Sequence, residues 1–237
     1  MTTKNSKHDL TLCITGLTAF FIYMVLPNFK GIPFQLLNID FTSIPIYLRI
    51  IYLITFELLL MGIIIFIFKN KIKKDINDMK RNHQKYFSEC LKYWLISVAV
   101  MIISNLLISI IIPDALPSNE KTIREIFNVS PVYIFFSAVI FAPIVEELVF
   151  RLGFRYMFKT NWLFIFMSGL IFGGLHVISS AESFVELLYI IPYAAPGIAF
   201  AYILSKTNNI LVTIGFHLMH NGILVTLQFL MLILGKN

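Results

Sequence analysis

Charge is what this chain has least of: Asp, Glu, Lys and Arg make up only 14% of its 237 residues, and Asp and Glu together number 13. A water-soluble domain of that length carries nearer a quarter of its residues as charges, so an ordinary soluble globule is excluded. Cysteine is nearly absent too. Cys13 lies in an apolar run and Cys90 in a basic stretch, a pair whose spacing suits neither a disulfide framework nor a metal knuckle. There is no repeat of fixed period, no low-complexity tract, and no polar stretch longer than residues 69–92. A separate soluble domain has nowhere to sit. What fills the chain instead is apolar: 58% hydrophobic residues, 23 of them Phe, and a mean hydropathy of +0.81. These features predict an all-α, polytopic membrane protein.

Seven apolar runs are long enough to cross a bilayer, at about 10–27, 44–68, 91–112, 131–158, 162–179, 184–205 and 209–235, which predicts a single bundle of about seven transmembrane helices. Lys4 and Lys7 precede the first run as they would in a signal peptide, but "FFIYMVLPNF" offers no small-residue cleavage site, so the run is read as a retained span. The net charge of +6 does not imply nucleic acid, because the basic residues cluster between apolar runs as topology determinants do. The segment 69–92 alone holds eight Lys and Arg. Placing it in the cytoplasm puts the amino terminus inside and the carboxyl terminus outside, and Arg155, Lys159 and Lys206 then fall at inner turns. Residues 1–130 read as three scaffold spans, with few polar side chains beyond an edge Glu57. Residues 131–237 are where the chemistry is expected.

In that second part, "APIVEELVFR" sets Glu146 and Glu147 midway along an apolar run. Glu147 and Arg151 are four residues apart, share a helical face, and can neutralise one another. Glu146 is left without a partner on its own helix, and a lone carboxylate at membrane depth marks a functional site by default. The next span holds "FGGLH", in which His176 stands one turn beyond Phe172 while Gly173 and Gly174 remove bulk beside it; that space is expected to admit a helix or a substrate backbone. The last span holds "HLMHN", with His217 and Asn221 one turn apart. His220 stands near the same face, and the sequence leaves open which of the two histidines acts. At 1.5 Å of rise per residue, Glu146, His176, His217 and Asn221 lie roughly 18, 21, 12 and 18 Å from the inner helix ends, a common layer.

The three motifs, EExxxR in "EELVFR", FxxxH in "FGGLH" and HxxxN in "HLMHN", resemble in order and spacing those of the CPBP family, which comprises CAAX prenyl proteases and bacteriocin-processing or Abi-type membrane proteases. The resemblance covers about residues 131–230 and implies an α-helical membrane endopeptidase whose site opens to the cytoplasm. It further implies catalytic roles for Glu146, His176, His217 and Asn221, with Glu147 and Arg151 as structural support; Phe172, Gly173 and Gly174 are expected on the substrate's approach because the glycines leave room there. The residue types suit the chemistry: a carboxylate and an imidazole activate water, and His217 with Asn221 supplies donors for the developing oxyanion.

A zinc version competes, since Glu146, Glu147, His176 and His217 are acceptable ligands by type. The chain lacks HExxH, the usual pair of zinc ligands on one helix, and the metal-free reading is preferred. GxSxG is also missing, as are aspartates within the spans, so serine and aspartyl chemistry are set aside. The partners expected are the lipid bilayer and a peptide or protein substrate, in a bacterial plasma membrane, in bacteriocin processing, self-immunity or CAAX-type carboxyl-terminal processing. The alternatives are a catalytically silent immunity or scaffold protein, and a proton or cation transporter built around Pro192, Pro196 and Gly197.

Overall fold

A backbone in hydrocarbon must satisfy its polar groups within itself, and helices do so segment by segment. The computed structural model describes residues 2–112 and 117–234, and the regular elements among them are helical without exception. The principal helices are α1 (Thr2–Val25), α2 (Ile32–Leu36), α3 (Ile46–Ile111), α4 (Ser118–Val129), a composite helix over 131–157, α8 (Asn161–Ile178), α9 (Ile190–Thr207) and α10 (Ile210–Ile233). Six of the described helical stretches are long and apolar enough to cross a membrane. Of the expected connection 113–130, residues 113–116 lie outside the described residues, and the remainder is mostly α4.

The largest departure from expectation is α3. The sequence predicts two spans joined by a basic loop, whereas helix continues through all 66 residues. Drawn straight, such a helix would run about 99 Å, three times the hydrocarbon thickness. Its contacts show that it reverses direction. Glu57 bonds Tyr133 and Ser137 near one end of the bundle, Asp75 bonds the start of α10 at the other end, and Ile108 packs on Val177 and Tyr189 back at the first end. Phe87 stacks on Phe216, and Tyr93 and Trp94 meet Tyr202 and His220 on the way back. The helix therefore supplies both expected crossings, and its basic stretch bends at the end of the bundle that also carries the 207–210 turn, called the basic end below. A low-polarity loop was not available here: eight cations on a helix can face water on one side while the other side packs.

A polar clamp fixes that bend. Asn208 takes the left-handed conformation at φ 48° and ends α9, and Asn209 then caps α10 by accepting from Leu211 N–H. The Asn209 amide donates to the Asp75 carbonyl and the Asp78 carboxylate, while Asp75 accepts from Ile210 N–H at 2.9 Å. Tyr86 and Asn82 donate to Asp78 from the returning side. This network sets the position of α10, and α10 carries His217.

Helices α8 and α9 pack most closely. A Cβ at Gly173 would stand 2.6 Å from the Ala194 nitrogen, and one at Gly197 3.1 Å from the Gly169 Cα, so the missing side chains let the two backbones touch. Helix α9 stays intact through Pro196, and its Pro192 falls in the first turn, where an N–H would have no partner in the helix. The broken helix of a transporter is not found there.

Candidate active site

The composite helix is α-helical at α5 (Pro131–Ile134), α6 (Ala142–Glu146) and α7 (Phe154–Met157), and widens to π-helix over Phe135–Phe141 and Glu147–Gly153. Pro143 accounts for the first widening. A proline inside an α-helix clashes with the carbonyl four residues back and brings no N–H. The chain responds with longer bonds, Ala142 N–H reaching Ser137 O. In that register the Ala138 carbonyl faces Pro143 and lacks a backbone donor; the Asn221 amide supplies one at 2.7 Å. Ser168 on α8 donates to the Phe150 carbonyl in the second π segment, also at 2.7 Å. π segments within helices are frequent at functional sites.

Glu146 ends α6 and is buried. Two histidines from two other helices aim at it. His176 Nε2 stands 4.0 Å from Glu146 Oε1, and His217 Nε2 stands 3.8 Å from Glu146 Oε2. Each ring is oriented through its other nitrogen: His176 Nδ1 donates to the Phe172 carbonyl at 2.9 Å, and His217 Nδ1 donates to Glu147 Oε1 at 3.0 Å. Both Nδ1 atoms are donors, so it is Nε2 that each ring turns toward Glu146, as a lone pair on a neutral ring and as an N–H on a doubly protonated one. The separations exceed a direct hydrogen bond and match a gap bridged by one water.

Glu147 and Arg151 are both fully buried. Arg151 Nη2 lies 3.3 Å from the same Glu147 oxygen that accepts from His217, and its guanidinium carbon sits 4.3 Å from the centre of the Phe172 ring. The expected pair within one helix is present, and it does more than neutralise. Glu147 fixes the tautomer and tilt of His217, and Arg151 holds Glu147 in place. Phe172 lies between Arg151 and His176, its ring 4.4 Å from the imidazole, so it orients the pair and does not line an open approach.

Two further expectations change. Gly173 was assigned to the substrate's approach, but Ala194 of α9 occupies the room its hydrogen leaves. A Cβ at Gly174 would meet only Ile178 of its own helix, at 3.4 Å, so α9 does not fill the space beside it. Asn221 was expected level with Glu146; it bonds Ala138, while His217 is the α10 residue level with the glutamates. A π-helix rises less per residue than an α-helix, so Glu147–Gly153 brings Glu146 nearer the basic end than 1.5 Å per residue implies. His220 is buried between Trp94 and Phe200, with ring centres 6.4 and 6.3 Å away, which leaves His217 as the histidine facing Glu146.

Tyr23 was not singled out in the sequence. It lies on α1, in the part read as scaffold, and its hydroxyl faces the Glu146 carboxylate. The signal available was a face of α1 formed by Gly16, Ala19, Phe20 and Tyr23, at helical spacing.

Of the zinc candidates, Glu147 meets His217 and Arg151 through Oε1, and the described residues hold no group of three or more His, Cys, Asp or Glu at metal-holding geometry.

A family model described as "Type II CAAX prenyl endopeptidase Rce1-like" matches residues 128–223, the segment that contains all three motifs. That segment, about two fifths of the chain, is similar to the CAAX-type membrane endopeptidases. Among curated proteins, the chain is similar to the "Putative membrane peptidase YdiL" of Bacillus subtilis, 33% identical over 114 residues, or 46% of this chain and 43% of that protein. The match thus spans less than half of the relative's length. No solved structure matches. Helix α1 and all of α3 lie outside the segment that the family model matches.

Proposed function

We propose that the chain is a membrane-embedded endopeptidase that hydrolyses a peptide bond with a water activated by Glu146. The observation that carries this reading is the convergence of His176 and His217 Nε2 on Glu146 from two helices, at 4.0 and 3.8 Å. A water in that space donates one hydrogen to the Glu146 carboxylate and the other to the His176 Nε2 lone pair. Glu146 takes the proton as the water oxygen bonds to the peptide carbonyl carbon. The carbonyl π bond becomes an oxyanion, held by the Nε2–H of His217, a ring that takes its second proton from solvent before substrate binds and keeps it throughout, and by the second N–H of Asn221. Collapse re-forms the carbonyl and breaks the C–N bond, and the proton on Glu146 passes to the leaving amine. Glu147 keeps its charge throughout and orients His217, as a buried carboxylate does for the histidine of a hydrolase triad.

The protein would act in a bacterial plasma membrane, amino terminus in the cytoplasm, on a peptide segment that reaches the site from the basic end. The family model's name brings prenylated carboxyl termini into consideration, and the wider family adds leader-bearing peptides. Comparing peptides released from membranes containing wild type with those containing Glu146→Gln separates these classes. The expected result is a set of fragments dependent on Glu146 that share a cleavage motif. Identical peptide sets would remove the hydrolytic reading and leave that of a silent scaffold.

A further inference from the structure

We propose that Tyr23 of α1 is a positioning residue for Glu146, so that a helix outside the matched segment completes the active site. Contact between α1 and the composite helix is unusually close where it begins. A Cβ at Gly16 would collide with the Gly153 carbonyl oxygen, which sets the register of one helix on the other. One turn on, Ala19 is fully buried, and Phe20 meets Phe150 and Phe154 edge-on at 6.0 and 5.6 Å. One further turn brings Tyr23, whose ring stands edge-on to Phe150 at 5.3 Å and 84°. The two helices run antiparallel, so this step along α1 is a step from Gly153 through Phe150 toward Glu146. The Tyr23 hydroxyl arrives at the carboxylate.

The chemistry gives that contact a purpose. Both histidine nitrogens stand 3.8 Å or more from Glu146, too far to hold it directly. A phenol has one donor hydrogen and lies on a ring with only two torsions, so packing against Phe150 aims the donor firmly. A carboxylate that must take a proton from water needs one oxygen held and the other free. Tyr23 holds one oxygen, and the water takes the other. The segment matched to the family begins at residue 128, so this hydroxyl comes from sequence beyond it.

The inference rests on Glu146 being the base, and the test keeps the two apart. Tyr23→Phe preserves the ring on Phe150 and removes only the hydroxyl. With a quenched peptide built on a cleavage site from the membrane comparison, the expected outcome is kcat lower by roughly tenfold, with KM and thermal midpoint unchanged. Unchanged kcat, or a loss of kcat matched by a lower midpoint, would overturn the role. Labelling of Glu146 by a hydrophobic carbodiimide, followed by mass spectrometry, reads the contact without activity. Glu146 should react severalfold faster in Tyr23→Phe, because the hydroxyl no longer engages it, and an unchanged rate would overturn the placement. Faster labelling in a protein that cuts nothing would leave the contact standing and remove the hydrolytic reading.

Discussion

Glu146 and Glu147 are adjacent, alike in chemistry and both buried, yet their surroundings give them different work. Glu147 is held by Arg151 and His217, whereas Glu146 faces two imidazole Nε2 atoms across a water-sized gap. Glu146→Gln is therefore expected to abolish cleavage while leaving the thermal midpoint within a few degrees of wild type. Arg151→Ala should do the opposite in order of severity: it strands a buried carboxylate and costs about 3–5 kcal/mol, visible as a lowered midpoint before any assay. Glu147→Gln should fall between, with kcat reduced because the amide can present a donor to His217 Nδ1 and turn the ring. Equal unfolding of Glu146→Gln and Arg151→Ala would refute the division of roles.

At the scale of elements, the composite helix shows how one proline organises a site. Pro143 widens the helix, the widening strands the Ala138 carbonyl, and Asn221 answers it from α10. Asn221→Ala should thus cost about 1 kcal/mol through an unsatisfied, part-buried acceptor. The cost should shrink in a Pro143→Ala background, where a restored N–H can bond the carbonyl instead; additive effects in this double-mutant cycle would sever the link. The glycines of α8 divide in the same way. Gly173→Leu drives a side chain into Ala194 and should lower stability, whereas Gly174→Leu meets only Ile178 and should lower cleavage with little change in midpoint. Matching losses of stability in both would remove Gly174 from the approach.

For the whole molecule, the reversal of α3 binds distant parts together. Its bend is clamped to the 207–210 turn through Asp75, Asp78 and Asn209, so damage at the basic end should be felt at His217. Asn209→Ala removes three side-chain bonds and is expected to reduce kcat as well as the midpoint, read by activity and by thermal unfolding. Metal dependence is also a property of the whole purified protein. Activity should persist through prolonged chelation, and zinc should be substoichiometric by elemental analysis; loss on chelation with recovery on adding zinc would reverse the mechanism. With Cys13 and Cys90 replaced, a cysteine at 174 should label with an impermeant thiol reagent from the basic side alone. Labelling only from the opposite side would mean that the access direction is wrong.

The sequence by itself determined the membrane class, the apolar runs and the motif residues, because length, hydropathy and an i to i+4 spacing are local quantities that need no partner. It also placed Glu146, His176 and His217 in one layer, and the structure brings those three together. Only the tertiary structure decided what each residue faces. Gly173 could not be told from Gly174 without knowing that α9 presses on one of them, and the basic stretch could not be read as helix without the packing of its other face. Asn221 needed Ala138 on another helix, and Ala138 needed the register that Pro143 imposes. Tyr23 is the furthest case, separated from Glu146 by 123 residues of chain and joined to it by the contact of Gly16 with Gly153. Contacts of that kind depend on how whole helices fit against one another, which periodicity within any single helix does not encode.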